Sequence, residues 1–225
     1  MQLPLSIDTP DSGGRLPLHV RPMQATDGVG PFDDPGYYFE PWWPGVRALP
    51  FVESRQVRLQ SEQLTDLLES FPELGSLGEQ LRGDAVVMDG TLLVLDGDGR
   101  PDPELLRRRL AVRGVTAGRA AFVATDLLYL EGQTLASRPF VERRDRLRAL
   151  VRRGETTIVG RGFREEGMTV AEALGELGME AISARRLSAR YRPGPAGDAW
   201  IRLPIAQPAP RAVRPTLSVI QKLPL

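Results

Sequence analysis

The sequence predicts an α+β fold, mainly antiparallel sheets with helices on the outside. Two observations lead there. Short apolar or alternating runs, read as strands, are mixed with charged helical stretches without regular alternation, which argues against a parallel βαβ array. Hydrophobic residues make up 41% of the 225-residue chain, enough for a real core.

The elements follow in order. Residues 1–15 are polar and carry Pro10, Gly13 and Gly14, a loose leader. Residues 16–45, rich in Pro, Gly and Asp, read as a long connection into the first strand. Strands are expected at 46–52 and at 56–60, where Val57 and Leu59 alternate. Residues 64–71 read as a short helix ended by Pro72, with another turn or two over 74–81. Residues 84–88 and 92–95 read as strands around Asp89-Gly90, a good tight-turn pair. Residues 103–111 open with Pro-Glu, a helical first turn. A buried-type strand is expected over 120–130. The stretch 141–153 is a charged amphipathic helix with Val141, Leu147, Leu150 and Val151 on one side. A strand over 156–159 and a helix over 169–177, capped by Thr169, come next. Strands at 181–184 and 200–203 complete the set. From Pro204 the chain is dense in proline. The expected organisation is a leader (1–15), one domain (16–204) and a Pro-rich tail (205–225).

Composition narrows the chemistry. Lys+Arg and Asp+Glu both number 29, so the formal net charge is zero. Dedicated nucleic-acid binders usually carry a basic excess, because phosphate neutralisation drives their affinity. The only lysine is Lys222; every other basic residue is arginine, which cannot act as an amine nucleophile. The absence of cysteine excludes disulfides, zinc-cysteine sites and thiol catalysis. The single histidine, His19, sits in a proline-punctuated stretch and reads as structural or solvent-facing. No signal peptide and no membrane-length apolar run is visible, so a soluble cytoplasmic protein is expected.

A series of strings carries a resemblance. They are Arg21-Pro22-Met23-Gln24-Ala25, Pro31-Phe32-Asp33-Asp34-Pro35-Gly36, and Tyr38-Phe39-Glu40 running to Gly45-Val46-Arg47-Ala48-Leu49. Phe71-Pro72-Glu73-Leu74, Met88-Asp89-Gly90 and Asp126-Leu127-Leu128-Tyr129-Leu130-Glu131-Gly132 follow. Later come Glu142-Arg143-Arg144, Tyr191-Arg192-Pro193-Gly194 and Trp200-Ile201-Arg202. Each is weak alone, but their order and spacing over residues 16–204 resemble the adenylation domain of bacterial-type ATP-dependent DNA ligases. The resemblance implies the nucleotidyltransferase fold shared by DNA ligases and mRNA capping enzymes (ATP-grasp-like). It also implies the chemistry. A lysine amine attacks the α-phosphate of ATP, and AMP then passes to a DNA 5′-phosphate.

The motifs depart from that pattern at the positions of chemistry. The family's Glu-x-Lys-x-Asp-Gly-x-Arg reads Glu40-Pro41-Trp42-Trp43-Pro44-Gly45-Val46-Arg47 here. Trp42 takes the lysine position, and an indole has no nucleophilic atom. The simplest expectation for Trp42 and Trp43 is packing, two rings filling a former pocket. Ser-Arg-Asn-Gly becomes Ser61-Glu62-Gln63-Leu64, which puts an anion where phosphate or DNA would want a cation. Asp-Gly-Glu becomes Asp89-Gly90-Thr91, and the family's adenine-stacking aromatic becomes Thr125. Glu-Gly-x-x-x-Lys becomes Glu180-Ala181-Ile182-Ser183-Ala184-Arg185, and Trp-x-Lys-x-Lys becomes Trp200-Ile201-Arg202-Leu203-Pro204.

The resemblance therefore implies a degenerate nucleotide-binding set, Glu40, Arg47, Arg185 and Arg202, with Glu180 as the metal-contacting acid and no catalytic residue. ATP and Mg enter through the resemblance alone. The expected function is a pseudo-ligase, inactive in self-adenylation, acting as an interaction or regulatory module beside another protein of a DNA-repair system. DNA binding is expected to be weak or absent, since no OB-fold, the DNA-clamping barrel of the family, fits after Pro204. The alternatives are a non-covalent nucleotide or nucleic-acid binder, or a DNA ligase (ATP) with atypical chemistry.

Overall fold

The computed structural model describes residues 16–112, 114–205 and 216–217. Strands run in chain order as β1 (Met23–Gln24), β2 (Thr26–Asp27), β3 (Asp34–Pro41), β4 (Val46–Glu53), β5 (Gln56–Ser61), β6 (Val86–Leu95) and β7 (Arg119–Leu130). They continue as β8 (Gln133–Thr134), β9 (Thr157–Val159), β10 (Phe163–Glu165), β11 (Ala181–Arg186), β12 (Gly194–Pro195) and β13 (Trp200–Pro204). The helices are α1 (Pro103–Ala111), α2 (Phe140–Leu150) and α3 (Gly167–Glu176), with a 3-10 segment at Pro72–Gln80.

Two sheets form the frame. One runs β10-β3-β11-β13-β2, and the other β5-β4-β6-β7-β8 with β9 parallel on β7. Most pairings are antiparallel, as the sequence predicts. The larger sheet is apolar on both faces, and the two-residue period of its strands divides the residues. Met88, Leu92 and Val94 of β6, with Phe122 of β7, pack on Leu74, Leu106 and Leu147 of the flanking helices. Leu93, Leu95 and Val123 point the other way, onto Phe39, Ile182 and Leu174 of the smaller sheet and α3. This two-sided burial is why these strands read as near-continuous apolar runs. Among the described residues no helix is long and apolar enough to cross a membrane.

Several expectations need correcting. Residues 16–45 are not a plain connection. They hold three strands, and β3 buries Tyr37, Tyr38 and Phe39. Pro35 and Gly36 lie at its start and Pro41 at its end, flanking the buried middle of the strand. Residues 64–71 form turns instead of a helix. Leu64 adopts a left-handed φ of 66°, and Thr65 N–H and Oγ1 both bond Ser61 Oγ, closing a local turn. Asp89-Gly90 is no turn either but the middle of a continuous β6. The register against β7 shifts there, so the glycine serves a bulge where two backbones approach. α3 starts at Gly167, two residues before Thr169, and Asp33 Oδ1 accepts the Met168 N–H at 2.8 Å in place of a threonine cap. The short strand β10 was not expected. The leader 1–15 and most of the tail 205–225, Lys222 included, lie outside the described residues. Leu217 is buried against the core, and its N–H donates to Gly99 O.

Candidate functional site

A cleft of about 410 Å³ lies between the sheets, lined from both of them. Strand register builds its floor. β3, β11 and β13 pair so that Glu40, Ser183 and Arg202 form one row and Tyr38, Arg185 and Trp200 another. Phe39, Ala184 and Ile201, between the rows, point to the core side. The β3–β4 connection brings Trp42, Trp43 and Gly45 to the rim, and β4 adds Arg47. Gly45 is required there. A Cβ would stand 2.2 Å from Leu92 O.

Trp42 and Trp43 do not fill the cleft. Trp43 turns into the core, while Trp42 stays half-buried on the wall. Its ring centroid lies 5.8 Å from that of Trp200, and the Arg202 guanidinium sits 5.7 Å from it. Trp200 is fixed by an Nε1–H bond of 2.8 Å to Ser183 Oγ. Arg185 and Arg47 lie over its ring at 3.9 and 4.4 Å. The wall is thus an indole pair decorated with guanidinium groups.

Of the expected set, Glu40, Arg47, Arg185 and Arg202 converge on the cleft. Glu180 does not. It is exposed before β11, away from the lining. Among the described residues no three His, Asp or Glu side chains cluster to hold a metal. Of the two acids expected at the site, Glu40 lines the cleft and is engaged by Arg144 and Arg185, while Glu180 stays outside the lining.

Each cleft cation already faces a carboxylate. Arg47 makes a two-pronged ion pair with the fully buried Asp89, and Tyr191 OH donates to the same carboxylate at 2.6 Å. Arg202 pairs with Asp27 at 3.4 Å. Arg185 lies 3.6 Å from Glu40 and 3.3 Å from Asp126. Glu40 is also held by Arg144 at 3.0 Å, and Asp126 by both prongs of Arg143 at 2.7 Å. This buried network shifts its members as burial and partners dictate. Burial lowers the Arg185 pKa despite Asp126 and Glu40. It works against the Arg144 cation too, but Glu40 and Tyr38 outweigh it and raise the value. Burial would lift the Asp126 carboxyl, yet Arg143, Arg185 and the Leu127 N–H hold it below the ordinary range. Burial and the Asp89 charge push the Tyr191 hydroxyl well up.

Sequence reasoning missed Arg144 and the Arg143–Asp126 pair as parts of the site's support. Asp126 sits on β7, whereas the two arginines sit on α2, a helix of evenly spread charge in which nothing in the pattern marks which arginines turn inward. The Arg47 side of the cleft adjoins a second depression lined by Glu62, Asp66 and Glu69.

A profile of the ATP dependent DNA ligase domain family matches residues 22–203. The multifunctional non-homologous end joining protein LigD of Mycobacterium bovis is 31% identical over 185 residues, 82% of this chain and 24% of the relative. The SPbeta prophage-derived DNA ligase-like protein LigB of Bacillus subtilis is 25% identical over 186 residues, 83% of this chain and 67% of that protein. The structure of mycobacterial DNA ligase D complexed with ATP and MES superposes with a TM-score of 0.70 at 28% identity, covering 81% of this chain and 59% of the other. The fold is the nucleotidyltransferase fold of DNA ligases. The chain belongs to the ATP-dependent DNA ligase domain family, and it spans about a quarter of the length of the LigD relatives.

Proposed function

We propose that this chain is a ligase-fold domain (16–204, between a leader and a Pro-rich tail) that does not adenylate itself and serves as an interaction or regulatory module in DNA repair. One observation carries the reading: the position of the motif lysine holds Trp42, packed on Trp200, and no described residue is a lysine. A tryptophan cannot form a phosphoramidate. The paired state of Arg47, Arg185 and Arg202 supports the same reading, because a triphosphate would have to displace a carboxylate from each. The acidic depression beside Arg47 supports weak DNA binding on this face. The repair context rests on relatives named as non-homologous end joining proteins.

The decisive experiment incubates the purified protein with α-labelled ATP and magnesium and resolves it on a denaturing gel. No labelled protein is expected; a covalent protein-AMP band overturns the reading.

One observation favours a second reading, non-covalent nucleotide binding. The cleft stays open at about 410 Å³, with the Trp42–Trp200 pair as a stacking surface and Glu40, Arg47, Arg185 and Arg202 around it. Calorimetry with ATP, GTP and nicked DNA separates the two. Saturable heat with a nucleotide establishes binding without covalent chemistry.

A further inference from the structure

Beyond the cleft, a second concavity of about 570 Å³ opens at the C-terminal end of α2. Arg148, Arg152, Arg153 and Arg161 line it, and its wall contains no acidic residue. All four arginines are exposed. In a chain of zero net charge this is a concentrated local excess. Two of the four, Arg152 and Arg153, contrast with the cleft cations Arg47, Arg185 and Arg202, each of which faces a carboxylate. Arg152 and Arg153 carry no ion pair among the described residues, and Arg148 donates only to a neutral partner, Tyr38 OH, at 2.6 Å.

A helix end attracts cations through its unpaired carbonyls, and that accounts for Arg148 in the last turn of α2. It does not account for the rest. Arg152 and Arg153 follow the helix, and Arg161 arrives from the separate segment between β9 and β10. Guanidinium groups converging from three places on one hollow present many N–H donors to a single anion, the geometry that suits phosphate oxygens.

We propose that this pocket binds a compact polyphosphate anion, either inorganic or the phosphate tail of a nucleotide. The observations favour a compact ligand over a duplex. The charge lines an open concavity at one helix end instead of a stripe along the surface, and the chain lacks the basic excess that phosphate-backbone binding draws on. The pocket is not isolated from the cleft. Arg144 donates to Gly160 O in its wall at 2.5 Å while holding Glu40 of the cleft at 3.0 Å. A ligand that moves Gly160 would thus act on the cleft carboxylate through one buried arginine.

The test is calorimetry of the full chain with sodium tripolyphosphate, ATP, AMP and a short DNA duplex at fixed salt. Saturable binding of tripolyphosphate is expected, at least as tight as that of AMP. The double variant Arg152→Ala/Arg153→Ala should weaken it by about tenfold or more. Arg192→Ala, an exposed arginine elsewhere, should leave it unchanged. Equal affinities for tripolyphosphate and ATP assign the recognition to phosphate alone; tighter ATP binding, lost in the same double variant, assigns it to a nucleotide. The proposal is overturned by an absence of heat with tripolyphosphate and ATP at millimolar concentration. Undiminished binding in the double variant, or binding by the duplex only, overturns it as well. None of these outcomes depends on covalent adenylation, so the pocket and the pseudo-ligase reading fail separately.

Discussion

The indole of Trp42 stands 5.8 Å from that of Trp200, centroid to centroid, with the planes 39° apart. The side chain at the nucleophile position is therefore built into the wall, held by an aromatic partner and by Arg202. Set beside the motif that this stretch resembles, Trp42 is one departure among several. Pro44 stands where the motif has aspartate, Thr91 where it has glutamate, and Thr125 where it has an aromatic ring.

Restoring the amine alone is expected to fail. In Trp42→Lys the new ammonium would enter a cleft that already holds Arg47, Arg185 and Arg202, without an added acid or an adenine stack. No covalent AMP should appear in the labelled-ATP assay. A band of wild-type ligase intensity would show that the lysine was all that was missing.

The network under the cleft should dominate stability. Asp126 is fully buried and bonded by both prongs of Arg143, itself 1% exposed. Asp126→Ala leaves buried guanidinium groups without their partner and should cost about 3–5 kcal/mol. Arg202→Ala breaks a pair whose side chains are 34% and 81% exposed, and should cost under about 1 kcal/mol. Urea denaturation midpoints give both numbers, and equal losses would contradict the division between buried and exposed pairs.

The pH profile should fall at both ends. Asp126 and Glu73 have lowered folded pKa values, through Arg143 and Arg185 for one and Arg109 and the Ala120 N–H for the other. A carboxyl lowered in the folded state contributes stability above its unfolded value, about 4, and loses it as pH falls through the folded value. Tyr191 is raised, so its contribution is complete below about 10 and is lost as pH climbs beyond. Melting temperature against pH should therefore stay flat near neutrality and drop below about 4 and above about 10. In Tyr191→Phe the alkaline drop should shrink, and an unchanged drop would assign it to another group.

Much of the frame was legible because its signals are local. The alternation of Val57 and Leu59 and the apolar run over 120–130 placed β5 and β7, and the Pro103-Glu104 start placed α1. The convergence of Glu40, Arg47, Arg185 and Arg202 followed from motif order. What escaped depends on tertiary context. β3 is held by pairing with β10 and β11, partners that a proline-flanked stretch does not announce. Glu180 shares a motif with Arg185, yet it precedes β11 on the exposed side. Arg144 looks like any surface arginine until α2 docks and buries it.

Asp89-Gly90 gives the sharpest test of strand against turn. In a tight turn alanine at Gly90 would be opposed by a positive φ, whereas in a central strand at close approach it is opposed by the backbone of the neighbouring strand. In the structure a Cβ on Gly90 would lie 2.1 Å from Val123 O and 2.7 Å from the Phe122 ring. The obstacle is the backbone of β7, which cannot yield without disturbing the longest pairing in the sheet. Gly90→Ala should therefore cost roughly 1–3 kcal/mol or more. Gly75→Ala is the matched control, because nothing lies within 4 Å of its added Cβ. That change should be neutral or stabilise by about 0.4–1 kcal/mol, through the entropy of the unfolded chain. Thermal melts of the two variants in parallel decide the matter: similar melting temperatures would mean that Gly90 does not sit against β7 as described.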